Sequence, residues 1–231
     1  AGNTTLVDAN ALDLGASTIT GNLVLTTGGA LTDSGPLMVA GTTTIVANDG
    51  TNAQVVTLDT AANNFVGAVS LTAGDVTLVD ADRLIFGSSS IAGDLFVTTF
   101  GSLAQGGVSQ IGPIEVVGDA VFVADSGSGQ MATMVDSNDF QGLVRFVEVR
   151  GGSWASVDIA DANDLNAELN VTGDANLQAA QSLAFSGAVD NLNLVSGTST
   201  SLGATTTNGM LSIAGDGDVT QTGPLSVGST T

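Results

Sequence analysis

The sequence lacks several residue types on which many enzymes depend. Its 231 residues include no Cys, His, Lys or Tyr, and only one Trp. Without His and Cys the chain cannot build a Ser-His-Asp or Cys-His nucleophile, nor a zinc site of thiolate or imidazole ligands. Without Lys it can form neither a Schiff base nor a P-loop. The sequence therefore predicts a protein that is not an enzyme, with no cofactor.

Basic residues are almost absent as well. Arg83, Arg145 and Arg150 face 23 carboxylates, and the formal net charge is −20. Recognition of nucleic acid and of anionic membrane surfaces depends on basic patches. No stretch approaches the run of about 18 apolar residues that marks a membrane-spanning helix. We therefore expect no nucleic-acid partner and no membrane insertion.

Internal repetition is the strongest positive signal. A shift of 188 residues places residues 6–43 on 194–231 with 16 of 38 positions identical. A shift of 72 places residues 6–31 on 78–103 with 14 of 26 identical. Self-similarity of this kind predicts a repeat architecture.

Two further features complete the repeat pattern. A degenerate copy covers residues 155–178, so the copies start near residues 6, 78, 156 and 194. A second marker recurs as "NFVG" at 64–67, "DFQG" at 139–142 and "AFSG" at 184–187. The last copy stops partway, and we expect the chain to be an excerpt of a longer repeat array.

The local pattern predicts an all-β protein. Runs of four to six residues such as "NLVLTT" and "TTIVA" alternate apolar with small or polar residues, and Gly, Asn, Asp or Ser separates them. Only "DANDLNAEL" (161–169) shows a helical pattern.

Two all-β architectures fit: tandem β-sandwich domains of about 75 residues, or one β-solenoid spanning 1–231. Scarce aromatic residues, copies that differ in length, and Val, Leu, Ile and Ala at the inward positions favour the solenoid. With roughly 18–25 residues a turn, it would have about ten turns and a length of about 45–55 Å.

The repeated phrases resemble a known family. "DLGASTITGNLVLTTGGALTDSGPLMVAGTTT" and "TLDTAANNFVGAVSLTAGDVTLVDADRLIFG" are similar to the repeats of filamentous-haemagglutinin-like adhesins and other β-strand-repeat bacterial surface proteins. The resemblance implies a right-handed parallel β-helix, export to the cell surface, and a role as stalk, fibre or adhesin. It brings no catalytic residues with it.

We therefore expect a structural segment of a giant extracellular fibre whose exposed end turns associate end to end with further repeats or like chains. One alternative is a module that binds a glycan or a cell surface through one face of the rod. A polysaccharide-active enzyme on the same scaffold would need several carboxylates in one groove. The best local candidates are Asp80 and Asp82 beside Arg83, and Glu148 beside Arg150. We interpret these as solvated turn residues and surface pairs.

Calcium is the one metal that the sequence suggests, and only weakly. "GDGD" (215–218) matches half of a nonapeptide calcium repeat. "DANDLN" (161–166) begins like an EF-hand loop but has Leu165 where an oxygen ligand belongs. Loose cation binding by the acidic surface is the favoured interpretation.

The few large aromatic side chains are expected in the interior. Trp154 could be an exposed sugar platform, but a core position is the favoured interpretation. Five Phe residues are also expected to fill the interior: Phe86, Phe96, Phe122, Phe140 and Phe146. Asn3 and Asn170 are formal glycosylation acceptors.

Overall fold

The fold is an all-β solenoid. The structure, a computed structural model, describes residues 2–101 and 106–228, and within these ranges it contains 28 strands and no helix. In that part of the chain there is accordingly no helix able to cross a membrane. Successive strands pair in parallel with strands one turn away.

The strands form three sheets. The 13-stranded sheet contains β1 (Thr4–Asp8), β4 (Leu23–Thr27), β7 (Thr43–Ala47), β10 (Val69–Ala73), β12 (Arg83–Phe86), β13 (Ser89–Ile91), β15 (Gly107–Gln110), β16 (Ile114–Val116), β18 (Gln130–Phe140), β20 (Trp154–Asp161), β22 (Asp174–Ala179), β24 (Leu192–Ser196) and β26 (Leu211–Gly215). The 12-stranded sheet contains β2 (Leu12–Leu14), β5 (Leu31–Asp33), β8 (Val56–Leu58), β11 (Val76–Asp80), β14 (Leu95–Thr99), β17 (Ala120–Asp125), β19 (Leu143–Val149), β21 (Leu165–Asn170), β23 (Leu183–Val189), β25 (Thr200–Thr207), β27 (Val219–Gln221) and β28 (Leu225–Val227). The three-stranded sheet contains β3 (Ser17–Ile19), β6 (Leu37–Val39) and β9 (Asn64–Phe65).

The turns follow one another without a domain boundary. Thr43 pairs with Val69, 26 residues later, and Ala175 pairs with Leu192, 17 residues later, so turn length varies with the loops. The 13-stranded and 12-stranded sheets each follow a path of 11 strands, which corresponds to about 11 turns. At about 4.8 Å per turn, the stack is about 48 Å long. The predicted continuous β-solenoid is confirmed, and tandem sandwich domains are excluded.

Strand alternation decides which side chains enter the core. In β4, Leu23 and Leu25 are fully buried, whereas Val24 between them faces outward. The segment 161–169, where the sequence hinted at a helix, follows the same rule. It includes most of β21, in which Leu165 and Leu169 are buried and alternate with outward polar residues. Burial at a period of two is the strand pattern.

Sequence copies and structural turns are out of phase. The shift of 72 carries β1 onto β11, yet β1 lies in the 13-stranded sheet and β11 in the 12-stranded sheet. The path β1–β4–β7–β10 accounts for three turns, and β11 is the next strand along the chain. One copy therefore takes three turns and one further side of the body. Equivalent residues of the first two copies consequently lie in different sheets.

The aromatic residues fill the interior, with one exception. Trp154 is fully buried, so its core interpretation is confirmed and the sugar-platform interpretation is wrong. Its ring contacts Phe146 edge-on at 5.1 Å, and Phe146 stacks on Phe122 at 4.9 Å. Phe96, expected inside, is 43% exposed. In β14 the inward positions belong to Leu95 and to the residues two and four positions later, and Phe96 therefore points outward.

Side chains at the corners connect consecutive turns. Asp75 accepts a hydrogen bond from the backbone N–H of Asp94 at 3.0 Å, and Asp94 accepts one from the N–H of Asp119 at 2.8 Å. Asp119 in turn accepts the N–H of Leu143 at 2.9 Å. Each of these amides lies just before a strand of the 12-stranded sheet. Many of the carboxylates that give the chain its charge therefore stabilise corners.

Candidate functional site

The most concave surface lies where one side of the solenoid is interrupted on three successive turns. The turn above β10 breaks between β12 and β13, at Gly87 and Ser88. The next turn breaks between β15 and β16, just before which Pro113 lies. On the third turn, the pairing of β18 with β20 is irregular between Met134 and Asn138. The three breaks are in register along the axis, and they open a groove in the side of the rod.

This side groove has a volume of about 590 Å³ and is lined mainly by polar side chains. Five hydroxyl residues line it: Thr72, Ser88, Ser89, Ser90 and Ser137. The carboxylates of Glu115 and Asp139 also line it, together with Leu71, Pro113 and Ile114. The volume falls within the usual range for ligand sites, about 300–1,000 Å³.

Four of the lining residues form one column along the axis. Thr72 pairs with Ser90, Ser90 with Glu115, and Glu115 with Asp139, each one turn above the last. Ser90 donates a hydrogen bond from its hydroxyl to Oε2 of Glu115 at 3.2 Å. The column therefore presents two hydroxyls and then two carboxylates at intervals of about 4.8 Å.

A buried amide network supports the groove from behind. Asn138 is fully buried, and its Oδ1 accepts the N–H of Ile114 at 3.0 Å. Its Nδ2 donates to Oε1 of Gln110 at 3.1 Å and to the carbonyls of Met134 and Ala160, both at 3.0 Å. These bonds tie the three interrupted turns to one another. Saturated networks of this kind hold a site in a fixed geometry.

The same network explains two recurring sequence markers. Asn63, one residue before "NFVG", accepts the N–H of Leu37 in "GPL" at 2.8 Å. Asn138, one residue before "DFQG", accepts the N–H of Ile114 in "GPI". The Gly-Pro phrase and the Phe-x-Gly phrase are therefore two sides of one contact between neighbouring turns.

Asp80 and Asp161 occupy equivalent buried corners. Asp80 accepts the N–H of Phe65 on the turn below at 3.0 Å, and Asp161 accepts that of Phe140 at 2.8 Å. Burial raises the pKa of Asp80 to about 6, against the pull of its backbone hydrogen bonds. Burial also raises the pKa of Asp161, and the nearby carboxylate of Asp139 adds to this rise. Both carboxyl groups serve the packing of a buried Phe.

The structure does not assemble Asp80, Asp82 and Arg83 into a site. Asp80 is buried, whereas Arg83 is exposed. Asp82 accepts a hydrogen bond from the side-chain amide of Asn64 at 2.9 Å. The interpretation of these residues as turn and surface groups agrees with their positions.

Glu148 and Arg150 also point to separate partners. Oε1 of Glu148 accepts the backbone N–H of Trp154 at 2.8 Å and that of Thr172 at 2.9 Å. Arg150 pairs instead with the buried carboxylate of Asp125 at 3.1 Å. Arg150 has a left-handed backbone with φ of 49°. The pair that is adjacent in sequence is therefore divided between two structural roles.

The segments with partial calcium motifs lie in ordinary corners. In 161–166, Asp161 is buried against Phe140. In 215–218, the residues lie exposed between β26 and β27. Across residues 2–101 and 106–228, no group of three or more His, Cys, Asp or Glu side chains is placed to hold a metal ion. Binding of calcium stays a prediction from the sequence.

Asn3 and Asn170 are both exposed, and Asn3 accepts the N–H of Asn22 at 2.9 Å. Their glycosylation also stays a prediction.

Sequence reasoning missed the side groove. Glu115 and Asp139 are 24 residues apart and fall in no local motif, and they meet because one turn here takes 24 residues. The available signal was the Gly-Pro phrase at residues 112–113, followed one turn later by "NDF" at 138–140. Aligning the two phrases would have placed Glu115 on Asp139.

Comparison with known proteins gives a family without an activity. The family described as repeats of unknown function (DUF5649) matches residues 1–72, 73–147 and 189–231. The degenerate copy at 155–178 lies outside these three stretches. No curated protein and no solved structure matches the chain. Since the matched stretches cover most of the sequence, the chain belongs to the DUF5649 family of repeats of unknown function.

Proposed function

We propose that the chain is a structural segment of a large extracellular bacterial fibre, stalk or adhesin, to which it gives length and rigidity. The observation that carries this proposal is the unbroken stack of about 11 parallel turns. Backbone hydrogen bonds between turns run along the rod axis, so the ladder itself sets the length. Such a role needs no catalytic residue and no cofactor.

The resemblance of the repeats to filamentous-haemagglutinin-like surface proteins supports the extracellular part of the proposal. Those repeats also build long parallel β-rods. The acidic composition is compatible with exposure to solvent along the whole length, because a strongly charged surface favours solubility.

We also propose that the end turns associate end to end with a second copy. Leu6 on the first turn is 38% exposed, although its register partner Leu25 is fully buried. On the last turn Val227 is 47% exposed, although its partner Thr207 is buried. Inward-type side chains and edge strands at both ends would be covered by another parallel turn. A head-to-tail contact of this kind does not close and builds a fibre.

Electron microscopy of the chain with a globular marker domain fused to each end would test the structural role. We expect the markers to be held apart by a spacer of about 48 Å, with a narrow spread. A broad distribution of separations would overturn the role as a stiff spacer. Antibody labelling of intact source cells should detect the chain, and labelling only after permeabilisation would overturn the extracellular location.

Sedimentation velocity over a concentration series would test the end contact. We expect species larger than the monomer to grow with concentration, and Val227→Lys to abolish them. The matched control is Val135→Lys, since Val135 is 56% exposed on the side of the rod. Equal association of the two variants would contradict the proposed contact.

A further inference from the structure

We propose that the side groove is a binding site for a neutral, hydroxyl-rich glycan. This site goes beyond the proposed role as a spacer, since a rod requires no concave surface. The groove would give the segment a ligand on its flank, and therefore a means of attachment independent of its ends.

The groove is built by the fold. It is formed by three interruptions that coincide on successive turns, and each of them contributes one lining residue: Ser88, Pro113 and Ser137. The fully buried Asn138 fixes the middle wall through its bond to Ile114. Irregularities of this kind in a regular sheet commonly redirect side chains at binding sites.

The lining matches the chemistry of a sugar chain. Hydroxyl groups both donate and accept hydrogen bonds, and carboxylates accept them strongly, which suits the many hydroxyls of a glycan. Pro113, Leu71 and Ile114 supply apolar surface for the carbon-bound faces of the sugar rings. The column from Thr72 to Asp139 repeats its polar groups every turn over three intervals, about 14 Å. That length fits an extended oligosaccharide better than a single sugar.

Charge determines which glycan class fits. The groove has two carboxylates and no basic residue, and the whole chain carries a net charge of −20. An anionic polysaccharide would be repelled, whereas a neutral one would not. A basic peptide could pair with Glu115 and Asp139, but it would leave most of the five hydroxyls without a role.

Isothermal titration calorimetry of the full chain is the test, with cellohexaose, maltohexaose and N-acetylchitohexaose as neutral probes. Tri- or hexagalacturonate is the anionic probe and hexalysine the basic one. We expect at least one neutral hexasaccharide to bind, hexagalacturonate not to bind, and Ser90→Trp to abolish binding by filling the groove. Glu115→Gln and Asp139→Asn should each weaken binding about tenfold, because each removes a charged acceptor while keeping the shape.

Asp59→Asn is the matched control, since Asp59 is an exposed carboxylate outside the groove. It should bind the same probe with unchanged affinity, and circular dichroism should show that all variants keep the β-structure. The proposal would be overturned if none of the neutral probes binds, or if Ser90→Trp leaves their binding intact. It would also be overturned if only hexalysine binds and that binding is lost in Glu115→Gln.

Discussion

Thr43 offers a direct test of how the core is packed. It begins β7 with its side chain fully buried, and its hydroxyl Oγ1 has no hydrogen-bond partner in the described structure. Burying a hydroxyl without a partner costs about 1–3 kcal/mol in proteins. Thr43→Val replaces the hydroxyl with a methyl group of similar size. Val69, the register partner on the next turn, shows that a Val side chain fits this part of the core.

We expect Thr43→Val to raise the free energy of unfolding by about 1–2 kcal/mol. For a chain of this length, each kcal/mol corresponds to an increase in Tm of about 2–4 °C. Urea and thermal unfolding followed by circular dichroism would measure the change. A stability equal to or below that of the unmodified chain would refute the reasoning, since it would mean that the hydroxyl has a partner worth keeping.

Thr27→Val is the matched control with the opposite expected sign. Thr27 is equally buried, but its hydroxyl donates to the carbonyl of Asn10 at 2.7 Å and accepts the N–H of Gly29 at 3.1 Å. Its replacement leaves these buried groups unpaired and should lower stability by about 1–3 kcal/mol. Two Thr→Val changes in one core should therefore move Tm in opposite directions.

Three further predictions concern the buried groups. The pKa of Asp80 is about 6 in the folded chain against an ordinary value of 3.8, so the stability it contributes is complete below about pH 4 and is lost as the pH rises through 6; the loss is about 3 kcal/mol, and carboxyl NMR should show the midpoint near 6 rather than near 4. Phe146→Ala should cost about 3–5 kcal/mol and alter the fluorescence of the single Trp, whereas Phe96→Ala should cost less than about 1 kcal/mol; equal costs in urea unfolding would contradict the placement of the two rings. Asn138→Ala should cost about 3 kcal/mol or more, against less than about 1 for the exposed Asn176→Ala, and similar unfolding midpoints would show that the buried network contributes little.

The solenoid could be predicted from sequence because two independent patterns agree. Apolar alternation, as in "NLVLTT", indicates strands, and the long internal copies indicate a stack of similar turns. The burial of Trp154 followed from the same reasoning. These features depend on residues that are close in sequence or repeated along it.

The position of Phe96 could not be predicted with the same ease. Leu95 and Phe96 are both apolar, and only the phase of β14 decides which of them enters the core. A shift of one residue exchanges the two faces of a strand. The copies gave no help, because the residue that matches Phe96 at a shift of 72 is Val24, which is also apolar and also outward.

The side groove was beyond local reasoning for a different reason. Its column joins Thr72 to Asp139 across turns of unequal length, and turn length is set by loops that carry no repeated signal. The mismatch between the 72-residue copy and the turns adds to the difficulty, since equivalent residues of the first two copies lie in different sheets. Contacts between turns therefore had to be read from the structure.

A single distance tests the continuous stack most directly. Thr32 and Ser186 lie in one outward column of the 12-stranded sheet, seven turns apart, joined through Thr57, Thr77, Phe96, Val121, Arg145 and Glu168. The chain has no Cys, so Thr32→Cys and Ser186→Cys can carry spin labels without other changes. Pulsed electron–electron resonance should give one narrow distance near 34 Å, widened by a few ångströms for the label linkers. A broad distribution, or a distance far from this value, would contradict one rigid solenoid.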